Sequence, residues 1–239
     1  MCGSCAYVRS GSPAICFTCA SRHPSQIPSA RCNLCSQEVE RPGASCSNTI
    51  CSWPQRERWY GRVSAIARDA GPIRRVIRQY KYGGVTAWAQ ILARVIVGYL
   101  DEHAEEFGAY DSIVPMPAFT GPSARRSWAQ IDLIVQRAAT EDPFFWPFRR
   151  DGEVIAKIAE TDSMSGKGWS RRHQIAVGQL RSALQVPDRS RVAGQRVLVV
   201  DDVFTTGHDM LEVARALRLA GGAAVDGLVL ARAQWRQRV

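Results

Sequence analysis

The sequence predicts an α/β protein, a doubly wound and mostly parallel sheet preceded by a small zinc-ribbon segment. Three observations lead there. All eight cysteines fall within the first 51 residues. Beyond them, short apolar runs alternate with stretches of helical periodicity, the rhythm of a parallel sheet covered on both faces. One of those runs, Val197-Leu198-Val199-Val200, leads straight into Asp201-Asp202, a like-charged pair that serves stability poorly.

The cysteines come first. Cys2, Cys5, Cys16 and Cys19 follow the spacing C-x2-C-x10-C-x2-C; Cys32, Cys35, Cys46 and Cys51 repeat the unit with a longer last spacer. A C-x2-C pair on a tight turn aims two thiolates at one ion, and four sulfurs close a tetrahedral Zn²⁺ site. Disulfides are the competing reading, and they belong to oxidising compartments. The chain shows no charged-then-apolar leader. Its longest apolar stretch, residues 88–100, is broken by Arg94 and is too short to span a bilayer. The expectation is a cytoplasmic protein without a membrane span, holding two structural zinc ions, one per four-cysteine unit. Cross-braced pairing of the same ligands stays open. Residues 1–56 form this double ribbon, which draws much of its folding free energy from metal, and residues 57–239 form the α/β domain with its own core.

The elements of that domain follow in order. Residues 59–68 alternate as a strand anchored by Val63 and Ile66. Pro72 opens a helix whose stripe of Ile73, Val76, Ile77 and Tyr80 ends at Gly83-Gly84. Residues 88–100 make a second amphipathic helix, and 112–114 a short strand stopped by Pro115 and Pro117. A helix covers 130–139, Pro143 and Pro147 mark a loop, and 163–168 (SMSGKG) reads as a mobile loop. The run 197–200 is a strand buried on both faces. A helix over 209–220 stops at Gly221-Gly222, and 225–231 returns as a strand.

Charge narrows the function classes only loosely. Lys and Arg total 31 against 22 Asp and Glu, a net charge of +9, which suits nucleic acid, phosphorylated small molecules or an anionic surface. Lysines number only three (Lys81, Lys157, Lys167), an arginine bias that genome composition can also produce. Arginine pairs at 74–75, 125–126, 149–150 and 171–172 can follow a phosphate backbone or form solvated faces. No aromatic-plus-basic signature of a known single-strand binder is visible, nor any Ser/His/Asp or Cys/His arrangement for nucleophilic catalysis.

Paired aspartates at a strand end become useful when a ligand brings hydroxyl donors or a divalent cation. Thr205-Thr206-Gly207 follow with hydroxyls, backbone N–H groups and a residue that lets the chain pass close to a ligand. The helix beginning near His208 points its positive end into the same space, which suits a phosphate. A phosphorylated sugar fits both halves. The plainer alternative is an N-capping Asp or Thr ahead of an ordinary helix. This loop is expected to lie outside the core.

Residues 197–210 (VLVVDDVFTTGHDM) resemble the phosphoribosyl pyrophosphate (PRPP) motif of type I phosphoribosyltransferases. More of the chain is similar to the competence-associated ComF family, in which a cysteine-rich zinc segment precedes a transferase-like domain. The similarity runs through Gly71-Pro72, Lys81-Tyr82-Gly83-Gly84, Val114-Pro115-Met116-Pro117 and, of the family's RGFNQ segment, Arg126 and Gln130. The stretch 158–184, where the family has its flexible hood, departs from the pattern. The resemblance implies that Asp201 and Asp202 hold the ribose hydroxyls and stabilise charge at the anomeric carbon. It implies that Val203, Phe204, Thr205, Thr206, Gly207 and His208 form the PRPP loop around the 5′-phosphate. Pro117 and Ala118 would approach the pyrophosphate, and Arg125 and Arg126 would neutralise it, with Mg²⁺ carried in by PRPP. Lys81 reads equally as a phosphate contact or a solvated helix end. Two functions are implied: phosphoribosyl transfer to an unknown acceptor, or a non-catalytic accessory that binds single-stranded DNA in natural transformation. The partners implied are PRPP, single-stranded DNA, and a competence helicase or other DNA-uptake protein.

Overall fold

The computed structural model describes residues 27–124, 128–150 and 152–234. Along the chain, β1 (Val63–Arg68) is followed by helices α1 (Gly71–Tyr82) and α2 (Trp88–Glu102), then β2 (Ser112–Pro115) and α3 (Gln130–Glu141). Next come β3 (Ala156–Lys157), α4 (Trp169–Ile175) and β4 (Leu184–Gln185). The chain then forms β5 (Arg196–Phe204), α5 (His208–Leu219) and β6 (Ala224–Arg232). Strands β1, β6, β5 and β2 make one sheet in that order, every pair parallel, while β3 and β4 form a small antiparallel ribbon.

Helices cover both faces, as the alternating rhythm requires. On one face Ile113, Leu198, Val200, Leu228 and Leu230 pack against α1, α2 and α3. On the other, Val63, Val197, Val199 and Val229 pack against Met210, Val213 and Leu217 of α5. Strand β5 lies between β2 and β6, so both faces of its apolar run are buried. The α1 stripe buries Ile73, Ile77 and Tyr80 as its spacing dictates.

Two features differ from the sequence reading. Residues 27–53 do not stand apart from an independent α/β core: Cys35 and Ile50 are fully buried in the cluster that contains Tyr60, Phe204 and Met210. In addition, α4 continues through a wide π turn (Ala176–Leu180) into Arg181–Ala183, burying Ile175, Ala176 and Leu180 within 158–184. The widened turn shifts the apolar period, which hides this helix from periodicity. Among the described residues no helix is long and apolar enough to cross a membrane.

Sheet register builds the site. Pro115, the last residue of β2, pairs with Val200, one residue before the aspartates. On the other side β6 continues, pairing Val229 with Asp201 and Arg232 with Phe204. Among the described residues, one flank of Asp201–Phe204 therefore has no neighbouring strand, and the chain leaving β2 turns away to open a cleft there.

Candidate functional site

Of the eight cysteines, Cys32, Cys35, Cys46 and Cys51 come together, with their sulfurs all within 4.8 Å of one another. Cys35 and Cys46 Sγ atoms are 3.6 Å apart, close to the edge of about 3.8 Å that a tetrahedron of Zn–S bonds near 2.3 Å demands. The amides of Leu34 and Asn48 each donate to a sulfur at 3.4 Å, from Cys32 and Cys46 respectively. Contact with Cys32 and Cys46 holds the Cys35 thiol far below its usual range, while contact with Cys32 and Cys35 pushes Cys46 and Cys51 far above theirs. Four thiolates coexist at these separations only around a cation. The donor set fits a structural zinc ion and leaves no open coordination position. Cys2, Cys5, Cys16 and Cys19 lie outside the described residues, as do Arg125 and Arg126.

The second feature is a cleft of about 910 Å³ at the carboxyl end of β5. Its floor is 201–207. Its walls come from the end of α1 (Lys81, Tyr82), the chain after β2 (Met116, Pro117, Ala118, Phe119), the start of α3 (Gln130) and residues 160–165. Asp202 is 5% exposed, and its carboxylate accepts hydrogen bonds from Lys81 Nζ at 2.7–2.8 Å and from the Val203 amide at 2.6 Å. Lys81 is thus neither solvated nor remote. The end of α1 brings it to the aspartates. Burial pulls the Lys81 ammonium down, but Asp202 and Asp201 outweigh it and leave the net shift upward.

Asp201 accepts the Asp202 amide at 2.8 Å. Burial, then the charge of Asp202, pushes its carboxyl well above the usual carboxylate range, with Lys81 pulling the other way. A carboxyl held in this way gains most from hydroxyl donors or a divalent cation. Helix α5 follows directly. Its N-cap is Gly207, at φ +92°, and no side chain caps the first turn. Neither threonine nor aspartate therefore acts as the N-cap, and the first amides of a twelve-residue helix remain for an anion.

The loop is not outside the core. Thr206 and His208 are each 1% exposed, and Thr206 Oγ1 lies 2.8 Å from His208 Nδ1. Burial, then His173 and Arg172, lowers His208 to about 4, so its ring is neutral at pH 7 and adds no charge to the site. A Cβ on Gly207 would meet Phe204 Cζ at 2.5 Å and Tyr60 Oη at 3.2 Å. Packing beneath the loop is by itself enough to require glycine here.

Sequence reasoning missed several residues of this site. Lys157, Arg172 and Asp209 line the cleft. Burial raises the Asp209 carboxyl, opposed by Lys157 and Arg172. An acid in a first helical turn is favoured by the helix dipole and reads as ordinary, so it gave no signal. Asn48 and Arg232 reach the loop from distant parts of the chain: Asn48 Nδ2 donates to Thr206 O at 3.2 Å, and Arg232 Nη1 donates to Thr205 O at 2.8 Å.

No protein-family model matches the chain. It is 24% identical over 220 residues to "DNA utilization protein YhgH" of Salmonella typhimurium, covering 91% of this chain and 90% of that one. It is 23% identical over 207 residues to "Competence protein F" of Haemophilus influenzae, covering 84% of each. A shorter match, 44% identical over 46 residues, is to "Orotate phosphoribosyltransferase" of Pyrobaculum calidifontis, covering 19% of this chain and 24% of that one. Along most of its length the chain is thus a homologue of proteins named competence protein F and DNA utilization protein YhgH, in keeping with the resemblance of its motifs to the ComF family.

Proposed function

We propose that this chain is a PRPP-binding, phosphoribosyltransferase-like protein that serves DNA uptake or utilisation. One observation carries the PRPP half. A paired-aspartate strand end and a glycine-capped helix N-terminus without a side-chain cap meet in one cleft. Asp201 and Asp202 accept the ribose hydroxyls, and Lys81 supplies positive charge beside them. The amides of Thr205 through His208 take the 5′-phosphate, with Val203 and Phe204 fixing the loop from below. Pro117 and Ala118 form the wall toward the pyrophosphate, and the basic pair Arg125-Arg126 follows them in sequence. The carboxylates of Asp201, Asp202 and Asp209 in the cleft would hold Mg²⁺ carried in with PRPP, which would offset charge on the pyrophosphate. The short likeness to an orotate phosphoribosyltransferase supports the same reading.

Titration calorimetry with PRPP and Mg²⁺ tests it. Asp201→Asn/Asp202→Asn keeps the shape but removes both charges. Charge-assisted hydrogen bonds are worth about 1.5–3 kcal/mol each, so affinity falls at least about tenfold. Equal affinity in the double variant contradicts the assignment. Transfer to an acceptor is a further step, read by pyrophosphate release. Zinc analysis accompanies it, with two ions per chain expected: one at Cys32, Cys35, Cys46 and Cys51, the other at Cys2, Cys5, Cys16 and Cys19.

A separate surface favours a second activity, binding of single-stranded DNA. Phe145 is 92% exposed and Phe144 49% exposed, on a loop where Asp142 accepts the amides of Phe144 and Trp146; Arg149 and Arg150 lie exposed just beyond. Exposed rings beside arginines suit stacked bases and phosphates, and the names of the relatives point to DNA. Affinity for a labelled oligonucleotide is expected to fall steeply with salt and with Phe145→Ala. Competition by PRPP shows whether the two ligands share a site. A helicase or other DNA-uptake protein is the partner this reading implies.

A further inference from the structure

The loop that faces the cleft is gripped from behind by the cysteine segment. Arg232, the last residue of β6, is 3% exposed, and its guanidinium bridges this junction, with Nη1 also donating to Ala233 O. Nε donates to Cys35 O at 2.8 Å, Nη2 donates to Gln37 Oε1 at 2.6 Å, and Nη2 lies 3.5 Å from Cys35 Sγ. On the other side Nη1 donates to Phe204 O at 3.0 Å and Thr205 O at 2.8 Å. Asn48, fully buried between two of the cysteines, donates to the next carbonyl, Thr206 O, at 3.2 Å. Three consecutive carbonyls, 204, 205 and 206, are therefore held by side chains tied to the four-sulfur cluster.

Peptide planarity gives this grip a consequence. In a trans peptide the C=O of one residue and the N–H of the next point in opposite directions. Pulling carbonyls 204–206 toward Arg232 and Asn48 turns the N–H groups of Thr205, Thr206 and Gly207 away from the cysteine segment, toward the cleft. Those are the donors a phosphate needs. Phe204 O also accepts the Ala233 amide at 3.0 Å, so without the grip it is the planes after Thr205 and Thr206 that are released and whose donors diverge.

We infer that the Cys32/Cys35/Cys46/Cys51 centre is the template for the anion-binding loop, with Arg232 and Asn48 as positioning residues, so that metal at the centre and a phosphorylated ligand at the loop bind cooperatively. The inference rests on the loop's being a phosphate site, as proposed above. It adds that the two sites are one thermodynamic unit: if metal tightens the ligand, the ligand must retain the metal by the same factor.

The test uses the full chain loaded with zinc. In the first arm, amide hydrogen exchange is followed before and after zinc is removed by a chelator. The peptide covering 204–210 is expected to exchange at least about tenfold faster once zinc is gone, while α2, packed on the opposite face of the sheet, stays unchanged. In the second arm, zinc loss to a chromogenic chelator is timed with and without ribose 5-phosphate. The ligand is expected to slow zinc loss several-fold in the wild type. Asn48→Ala keeps all four sulfurs and is expected to lose most of that retardation. A merely structural Asn48 would lower the melting temperature and leave the ratio of the two rates untouched. Unchanged exchange at 204–210 after zinc removal overturns the inference, whatever the loop binds. Faster exchange without any ribose 5-phosphate binding by the zinc-loaded wild type overturns the phosphate reading and the cooperativity with it, while the mechanical link stands.

Discussion

Replacing Gly207 by alanine exposes how tightly the loop is built into the core. Two costs add. At φ +92° the backbone is in the left-handed region, which costs a residue with a Cβ about 1–2 kcal/mol. The new Cβ would also sit 2.5 Å from Phe204 Cζ and 3.1 Å from Cε2. That ring cannot retreat easily: it is 3% exposed, packs edge-on against Tyr60 at 6.4 Å, and lies beneath the Arg232 guanidinium at 5.0 Å. Overpacking of this kind costs about 1–3 kcal/mol, for a total of about 2–5 kcal/mol. At roughly 2–4 °C per kcal/mol for a chain of this size, the melting temperature should fall by about 4–20 °C. Gly84 provides the control, since it is also left-handed (φ +67°) but has open space where its Cβ would go. Gly84→Ala pays only the backbone cost and should lower the melting temperature by about 2–8 °C. Thermal unfolding followed by circular dichroism measures both. Adding Phe204→Leu should lessen the penalty specific to Gly207→Ala. If Gly207→Ala destabilises no more than Gly84→Ala, the packing argument is wrong.

Asp201 predicts a pH signature. Its carboxyl is raised in the folded chain, so between about pH 4, where an unfolded carboxyl titrates, and that raised value the folded state holds more protons than the unfolded state. Stability is then lost as pH rises. Asp201→Asn should melt higher than the wild type at neutral pH, with the advantage shrinking toward pH 4, and a pH-independent gap in scanning calorimetry counts against it. Asp209→Asn removes a negative charge from the cleft beside the phosphate loop, and a partly solvated charge is worth under about 1 kcal/mol. Ribose 5-phosphate should therefore bind about two- to fivefold more tightly to that variant at pH 8 by calorimetry, and weaker binding refutes it.

What the sequence made legible follows from how local each signal is. The run 197–200, the aspartates and the helix start lie within fourteen residues, and β5 and α5 form on that pattern, with β5 running on through both aspartates to Phe204. Lys81 was recognisable only as a residue of a motif. Its pairing with Asp202 spans 121 positions and arises because α1 ends over the carboxyl edge of the sheet. Arg232 and Asn48 gave no signal at all, one sitting at a strand end and the other inside a cysteine spacer. Their roles exist only once β6 runs past β2 and the cysteine segment folds behind it. Glycine at 207 was expected on local grounds, but its reason, the Phe204 and Tyr60 rings, is tertiary.

Asp201, Asp202 and the Thr205–Gly207 loop are proposed to form one phosphoribosyl site. A crystal structure of the zinc-loaded chain grown with PRPP and Mg²⁺ tests it most directly. Ribose hydroxyls are expected within hydrogen-bonding distance of the Asp201 and Asp202 carboxylates, and the 5′-phosphate on the amides of residues 205–208. Ligand density elsewhere on the molecule, with the Lys81–Asp202 pair and the loop unchanged, would contradict it.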